Sequence, residues 1–95
     1  MRLQMNRVPT HPGTVLLERI LKPRQLSLQK AAVNLGVSAK HLSEITRAMK
    51  PVTPSMAYRI ELATGFSAEM FLRMQIKHDL YQLRQQHFDD VTAIT

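Results

Sequence analysis

Apolar residues in this chain recur at three- and four-residue spacings in five runs, with prolines and glycines between them, and that pattern predicts five helices. The first is expected over about 12–21, where Pro12 precedes GTVLLERILK, Leu16, Leu17, Ile20 and Leu21 fall at helical spacing, and Pro23 ends the run. Ser27 caps LQKAAVNL, whose Leu28, Ala31, Ala32 and Leu35 form one stripe, and Gly36 supplies a left-handed residue past its end. Val37 follows, then Ser38 as the cap of AKHLSEITRA, residues 39–48, with Leu42 and Ile45 three apart. Thr53 caps and Pro54 opens PSMAYRIELAT, where Ala57, Ile60, Leu62 and Ala63 are expected inward and Gly65 stops the helix. Ser67, with Glu69 nearby, begins the longest run, about 68–86, which carries Leu72, Ile76, Leu80 and Leu83 on one stripe. Met70, Met74 and Tyr81 lie off that stripe, and a second apolar face predicts a partner for this helix, most simply another copy of the chain.

These elements describe an all-α chain forming one domain over residues 1–95, with its core at about 11–86. The ends, 1–9 and 87–95, are expected to be the mobile parts, and only Arg2–Arg7 leaves room for a short strand.

The string LSLQKAAVNLGVSAKHLSEITRAMK, residues 26–50, reads as helix, three-residue turn, helix. Small Ala31 and Ala32 let the two helices approach, and Val37, Leu42 and Ile45 fill the wedge between them. What is left outside on the second helix is polar: Ala39, Lys40, Ser43, Glu44 and Arg47 share or border one face, with Ser38 and His41 beside it and Lys50 just beyond. Such a face suits the major groove of double-stranded DNA. Lys40, Arg47 and Lys50 suit phosphate or guanine, Ser43 suits phosphate, Glu44 a cytosine amino group, and Ala39 a thymine methyl. Gln29 and Lys30 begin the preceding helix, whose amides point at a backbone phosphate in this arrangement.

Charge sharpens this picture because it is unevenly placed. Residues 1–50 hold nine Lys/Arg and two Glu, or +7, whereas residues 51–95 hold four Lys/Arg and five Asp/Glu, or −1. The basic half is the half that contains the motif. There is no cysteine, which excludes disulfides, thiolate metal sites and a cysteine nucleophile and fits a reducing, cytoplasmic setting. No run of about 18 apolar residues is present to span a membrane. Histidines at 11, 41, 78 and 87 follow no metal-binding spacing, so neither metal nor cofactor is expected. His11 is expected to support the start of the first helix, and His78 and Asp79 point about 100° apart, which is no catalytic pair. An enzyme fails on inventory, and an RNA-binding surface lacks its platform, since every Tyr and Phe lies at or beyond position 58.

The motif resembles the Xre or Cro-type repressors, which implies a lambda-repressor-like five-helix fold. The wider chain, from HPGTVLLERILKP through RAMKPVTPSMAYRIELATGFSAEMFLRMQ, over roughly residues 11–83, is similar to HigA antitoxins, also known as VapI-like proteins. That resemblance implies a dimeric repressor that binds the palindromic operator of its own operon and neutralises a HigB toxin, a RelE-like ribonuclease. It also implies that Lys40, Ser43, Glu44 and Arg47 face DNA, with Ala39 beside them. A stand-alone regulator of the same fold without a toxin is the alternative.

Three positions depart from the family pattern. Leu28 stands where many relatives carry a DNA-contacting Gln, with Gln29 adjacent. Ala39 replaces a longer polar reader. Ala48 stands where a Gly is usual, so the exit from the reading helix is expected to place Met49 or Lys50 in an unfavoured conformation instead.

Overall fold

The computed structural model describes residues 8–95, and among them the chain forms five helices in sequence and no strand. The candidate strand at Arg2–Arg7 lies outside the described residues. An imidazole opens the first helix: His11 is its N-cap, and Nδ1 accepts a hydrogen bond from the Gly13 N–H at 2.9 Å. Pro12 follows at the position where a missing N–H matters least, and α1 runs Pro12–Val15.

The same helix then widens into a π-helical stretch, Leu16–Leu21, where periodicity predicts a regular α-helix. The physical reason lies at its end. Pro23 has no N–H to offer the carbonyl four residues back, and the chain closes with longer loops, Lys22 N–H to Leu17 O and Leu26 N–H to Leu21 O, both 3.0 Å. In this winding Leu16, Ile20 and Leu21 are all buried and Leu17 packs half-buried beside them.

The remaining helices are α2 (Leu28–Leu35), α3 (Ala39–Thr46), α4 (Pro54–Thr64) and α5 (Ala68–Leu83). Each starts at a hydroxyl that accepts from the N–H three residues on: Ser27 from Lys30, Ser38 from His41, Thr53 from Met56 and Ser67 from Met70. Gly36 at φ 71° and Gly65 at φ 83° end α2 and α4 in the left-handed conformation expected of them. The core gathers Leu16, Ile20 and Leu21 with Ala31, Ala32 and Leu35, Leu42 and Ile45, Val52, Met56, Ala57 and Ile60, and Phe71.

Two inward faces differ from the sequence expectation. On α4, Met56, Ala57 and Ile60 take the core line, while Leu62 is 69% exposed and Ala63 is exposed too. Leu62 lies two residues beyond Ile60, about 200° around the helix, so both cannot point inward. On α5 the buried line runs through Phe71 and Gln75, and the stripe of Leu72, Ile76, Leu80 and Leu83 sits about 100° around from it. Leu72 is half-buried and the other three are exposed. Gln75 holds its inward position with two hydrogen bonds: Oε1 accepts from Val52 N–H at 2.7 Å, and Nε2 donates to Asp79 Oδ1 at 2.9 Å. α5 also ends at Leu83, with Arg84–Gln86 forming a turn instead of a further helical turn.

Two helix ends meet closely. Gly13 is buried at the start of α1 with its Cα facing the carbonyl of Ile45 on α3, and a Cβ there would overlap that oxygen. Glycine is required here for space, not for backbone conformation. Beside it, the ring of His11 meets the ring of His78 edge-on at 4.9 Å between centroids. Burial lowers the His11 pKa, the neighbouring His78 lowers it further, and Asp79 opposes them.

Gly13→Ala should therefore lower unfolding free energy by about 1–3 kcal/mol in a urea titration, and an unchanged midpoint would contradict the close approach. Protonation gives a second expectation. The unfolded chain binds the His11 proton more tightly than the folded chain, so stability is intact above the ordinary value of 6.5 and is lost as pH falls below it. His11→Asn, which keeps a capping oxygen, should flatten that loss, as followed by thermal unfolding across the same pH range.

Candidate nucleic-acid interface

The reading helix is held from two sides before any of its surface is used. On one side, α2 packs against it through Ala31 and Ala32, small and buried, across the three-residue turn Gly36–Ser38. On another, α1 presses Gly13 against Ile45. At one remove, Arg59 of α4 fixes the turn that precedes α3, donating Nη1 to the Leu35 carbonyl at 3.1 Å and to the Gly36 carbonyl at 3.4 Å. A guanidinium at that point satisfies carbonyls left over at the end of α2 and meets the negative end of its dipole. Arg59 is absent from the sequence expectations. It lies 24 residues from Leu35 on another helix, and no local pattern signals it.

With Leu42, Ile45 and Thr46 buried, the outer face of α3 is set. Lys40 and Arg47 are exposed on it, Ser43 and Glu44 are half-buried between them, and Ala39 is half-buried at its amino end, leaning on the core. These five occupy adjacent positions, as spacing predicts. Ser38 is exposed, and its Oγ caps the helix by accepting from His41 N–H at 3.0 Å. Gln29 and Lys30 are exposed in the first turn of α2. The structure does not bring the remaining two onto the face. His41 is exposed but falls about 130° from its centre, and Lys50 lies beyond the turn, on the wall of a recess shared with His11, Gln75 and His78.

The exit from α3 corrects one expectation and explains another residue. Ala48 itself takes the left-handed conformation, at φ 62°, and neither Met49 nor Lys50 has a positive φ. Ala48 N–H bonds Ile45 O at 3.0 Å and Met49 N–H bonds Glu44 O at 2.8 Å, so the position that closes the helix is the one where glycine is usual. Leu28 is half-buried against the core, which leaves Gln29 as the exposed polar residue at the start of α2. His78 Nδ1 and Asp79 Oδ1 come to 3.6 Å, closer than their helical offset suggests yet beyond a hydrogen bond. Among the described residues no three His, Asp or Glu side chains gather as a metal site, and no helix is long and apolar enough to cross a membrane.

No protein-family model matches the chain. Its backbone superposes on the antitoxin GraA with a TM-score of 0.85 and 30% identity, covering 94% of this chain and 100% of that one. Virulence-associated protein I of Dichelobacter nodosus is 37% identical over 81 residues, 84% of this chain and 75% of that protein. The chain belongs to the HigA-type, VapI-like family of helix-turn-helix antitoxins. Among solved HigA structures, Pseudomonas aeruginosa antitoxin HigA with the higBA promoter matches at 27% identity and TM-score 0.78, over 81% of this chain and 84% of that one. The fold of this HigA-type chain is accordingly the all-α helix-turn-helix fold, and membership of the family sets it apart from enzymes.

The strained exit yields a direct expectation. Ala48→Gly should raise stability by about 0.5–1 kcal/mol, because the left-handed conformation is unfavourable for an L side chain and free for glycine. A chemical denaturation midpoint that falls on this change would contradict the assignment.

Proposed function

We propose that the chain is a sequence-specific, double-stranded DNA-binding repressor that acts as a HigA-like antitoxin, autoregulating its operon and neutralising a RelE-like HigB ribonuclease. The observation that carries this reading is the outer face of α3, with Lys40 and Arg47 exposed and Ser43 and Glu44 half-buried between them, on a helix braced by α1 and α2. The family to which the chain belongs supports it, as does the likeness to a HigA solved with its promoter. In this reading Lys40 and Arg47 reach guanine or phosphate, Glu44 accepts from a cytosine amino group, and Ser43 donates to phosphate. Gln29, Lys30, Ser38 and the amino end of α2 position the backbone.

The exposed stripe of Ile76, Leu80 and Leu83 on α5 supports a homodimer, because large apolar side chains left in water favour a second copy. Two-fold symmetry then matches two half-sites of a palindrome about 34 Å apart. The chain would act in the cytoplasm, where operator and toxin are both found.

Binding to the chain's own promoter should weaken steeply with salt, by about 0.9 log units per log unit of salt for each phosphate contacted. Lys40→Ala and Arg47→Ala should each cost about 1–3 kcal/mol, with relaxed preference at one base pair if the residue reads a base and a uniform loss across sequences if it holds phosphate. Operator affinity indifferent to both substitutions and to salt would refute the reading. For the antitoxin role, co-expression with a short RelE-like chain from the adjacent reading frame should yield a stable complex that abolishes messenger cleavage. Failure to co-purify points to the stand-alone regulator.

A further inference from the structure

Outward from its buried line, α5 presents two apolar sectors, not one. Ile76, Leu80 and Leu83 make the first. The second lies on the other flank, where Met70 and Met74 border a shallow recess of about 570 Å³ that Ser67, Glu69, Arg73 and Lys77 complete. A pair of flexible thioethers beside two cations suits a segment that is apolar and acidic at once.

The chain contains such a segment. Every residue after Tyr81 is exposed, and the stretch beyond the helix carries Phe88 at 51%, Val91 at 69% and Ile94 at 100% exposure. Between the first two stand Asp89 and Asp90, the one pair of adjacent acids in the sequence. Among the described residues the one hydrogen bond of this arm is internal, Val91 N–H to Phe88 O at 3.3 Å. The radius of gyration, 15.8 Å, exceeds the ~12–13 Å of a compact domain this long, as an arm held off the body requires.

The recess lines the amino-terminal turns of α5, from Ser67 to Lys77, and the arm leaves past Leu83, about 9 Å further along the helix, so to dock on its own chain it would have to reverse and run back beside the helix. When two copies pair antiparallel on the first sector with Ile76 opposite Leu80 of the second copy, two-fold symmetry repeats the contact and brings Leu72 near its Leu83. The arm of each then emerges beside the recess of the other. We propose that the arm Phe88–Ile94 docks in trans on the Met70, Arg73, Met74 and Lys77 recess of a second copy. Phe88 and Val91 pack on the thioethers, and Asp89 and Asp90 pair with Arg73 and Lys77. This rests on the two-fold reading above and adds a second contact to it.

The absence of native cysteine makes the test clean. Met70→Cys and Phe88→Cys chains, mixed and oxidised, should give a species at twice the chain mass, and neither should do so alone. The double variant should form covalent dimers, whereas a cyclised monomer would show that the arm folds back on its own chain and overturn the proposal. In parallel, reversing Asp89 and Asp90 to Lys should weaken self-association about fivefold by sedimentation, as should reversing Arg73 and Lys77 to Glu, with recovery when both are combined. If neither reversal matters and no cross-link forms while Ile76→Asp still dissociates the dimer, the arm contact is wrong and the two-fold reading survives. A chain that sediments as a monomer at every concentration removes both.

Discussion

Gly13 brings the backbone at the start of α1 against the Ile45 carbonyl, and the pose of the reading helix follows from that contact. No side chain larger than hydrogen fits between the two, so the amino end of one helix serves as a stop for the carboxyl end of the other. His11 makes the stop rigid by capping α1 through Nδ1 and by leaning on His78 of α5. Gln75 ties the same α5 to the α3–α4 loop through Val52. The reading helix is thus positioned by backbone and buried polar contacts on its inner side, which frees its outer side to carry Lys40, Ser43, Glu44 and Arg47. Rigid support of this kind is what a recognition surface needs if its side chains are to reach fixed base edges.

The two halves of the chain divide the work. Positive charge is concentrated in residues 1–50, which form α1, α2 and α3, and the half from 51 to 95 is close to neutral. That second half braces: Arg59 closes the turn between α2 and α3, and Phe71 completes the core. Its α5 exposes the apolar stripe of Ile76, Leu80 and Leu83. One half therefore suits a polyanion and the other a second protein surface.

Local chemistry made most of the frame legible in sequence. Ser27, Ser38, Thr53 and Ser67 announce the starts of four helices, and Gly36 and Gly65 the ends of two, because caps are set by residues within three positions of one another. The adjacency of the α3 face was legible for the same reason. What sequence concealed depends on distant groups. The π-helical widening answers to Pro23 and to the packing of three leucine-type residues at once, and periodicity alone cannot distinguish it from an α-helix. Leu62 and the stripe from Ile76 to Leu83 read as core because they are apolar, yet Met56 and Phe71 already fill the space. Arg59 and Gln75 act across 24 and 23 residues, beyond any motif. Ala48 shows the opposite case, a position whose strained role is fixed by the turn whatever residue stands there.

In the proposed complex α3 enters the major groove with this face toward the bases. Dimethyl sulfate protection of guanine N7 on the chain's own promoter tests it directly, because N7 is exposed only in that groove. The account predicts two protected patches centred about 34 Å apart, one turn of the duplex, related by the operator's two-fold axis. Full methylation of guanine N7 at saturating protein, with protection confined to adenine N3 in the minor groove, would contradict it.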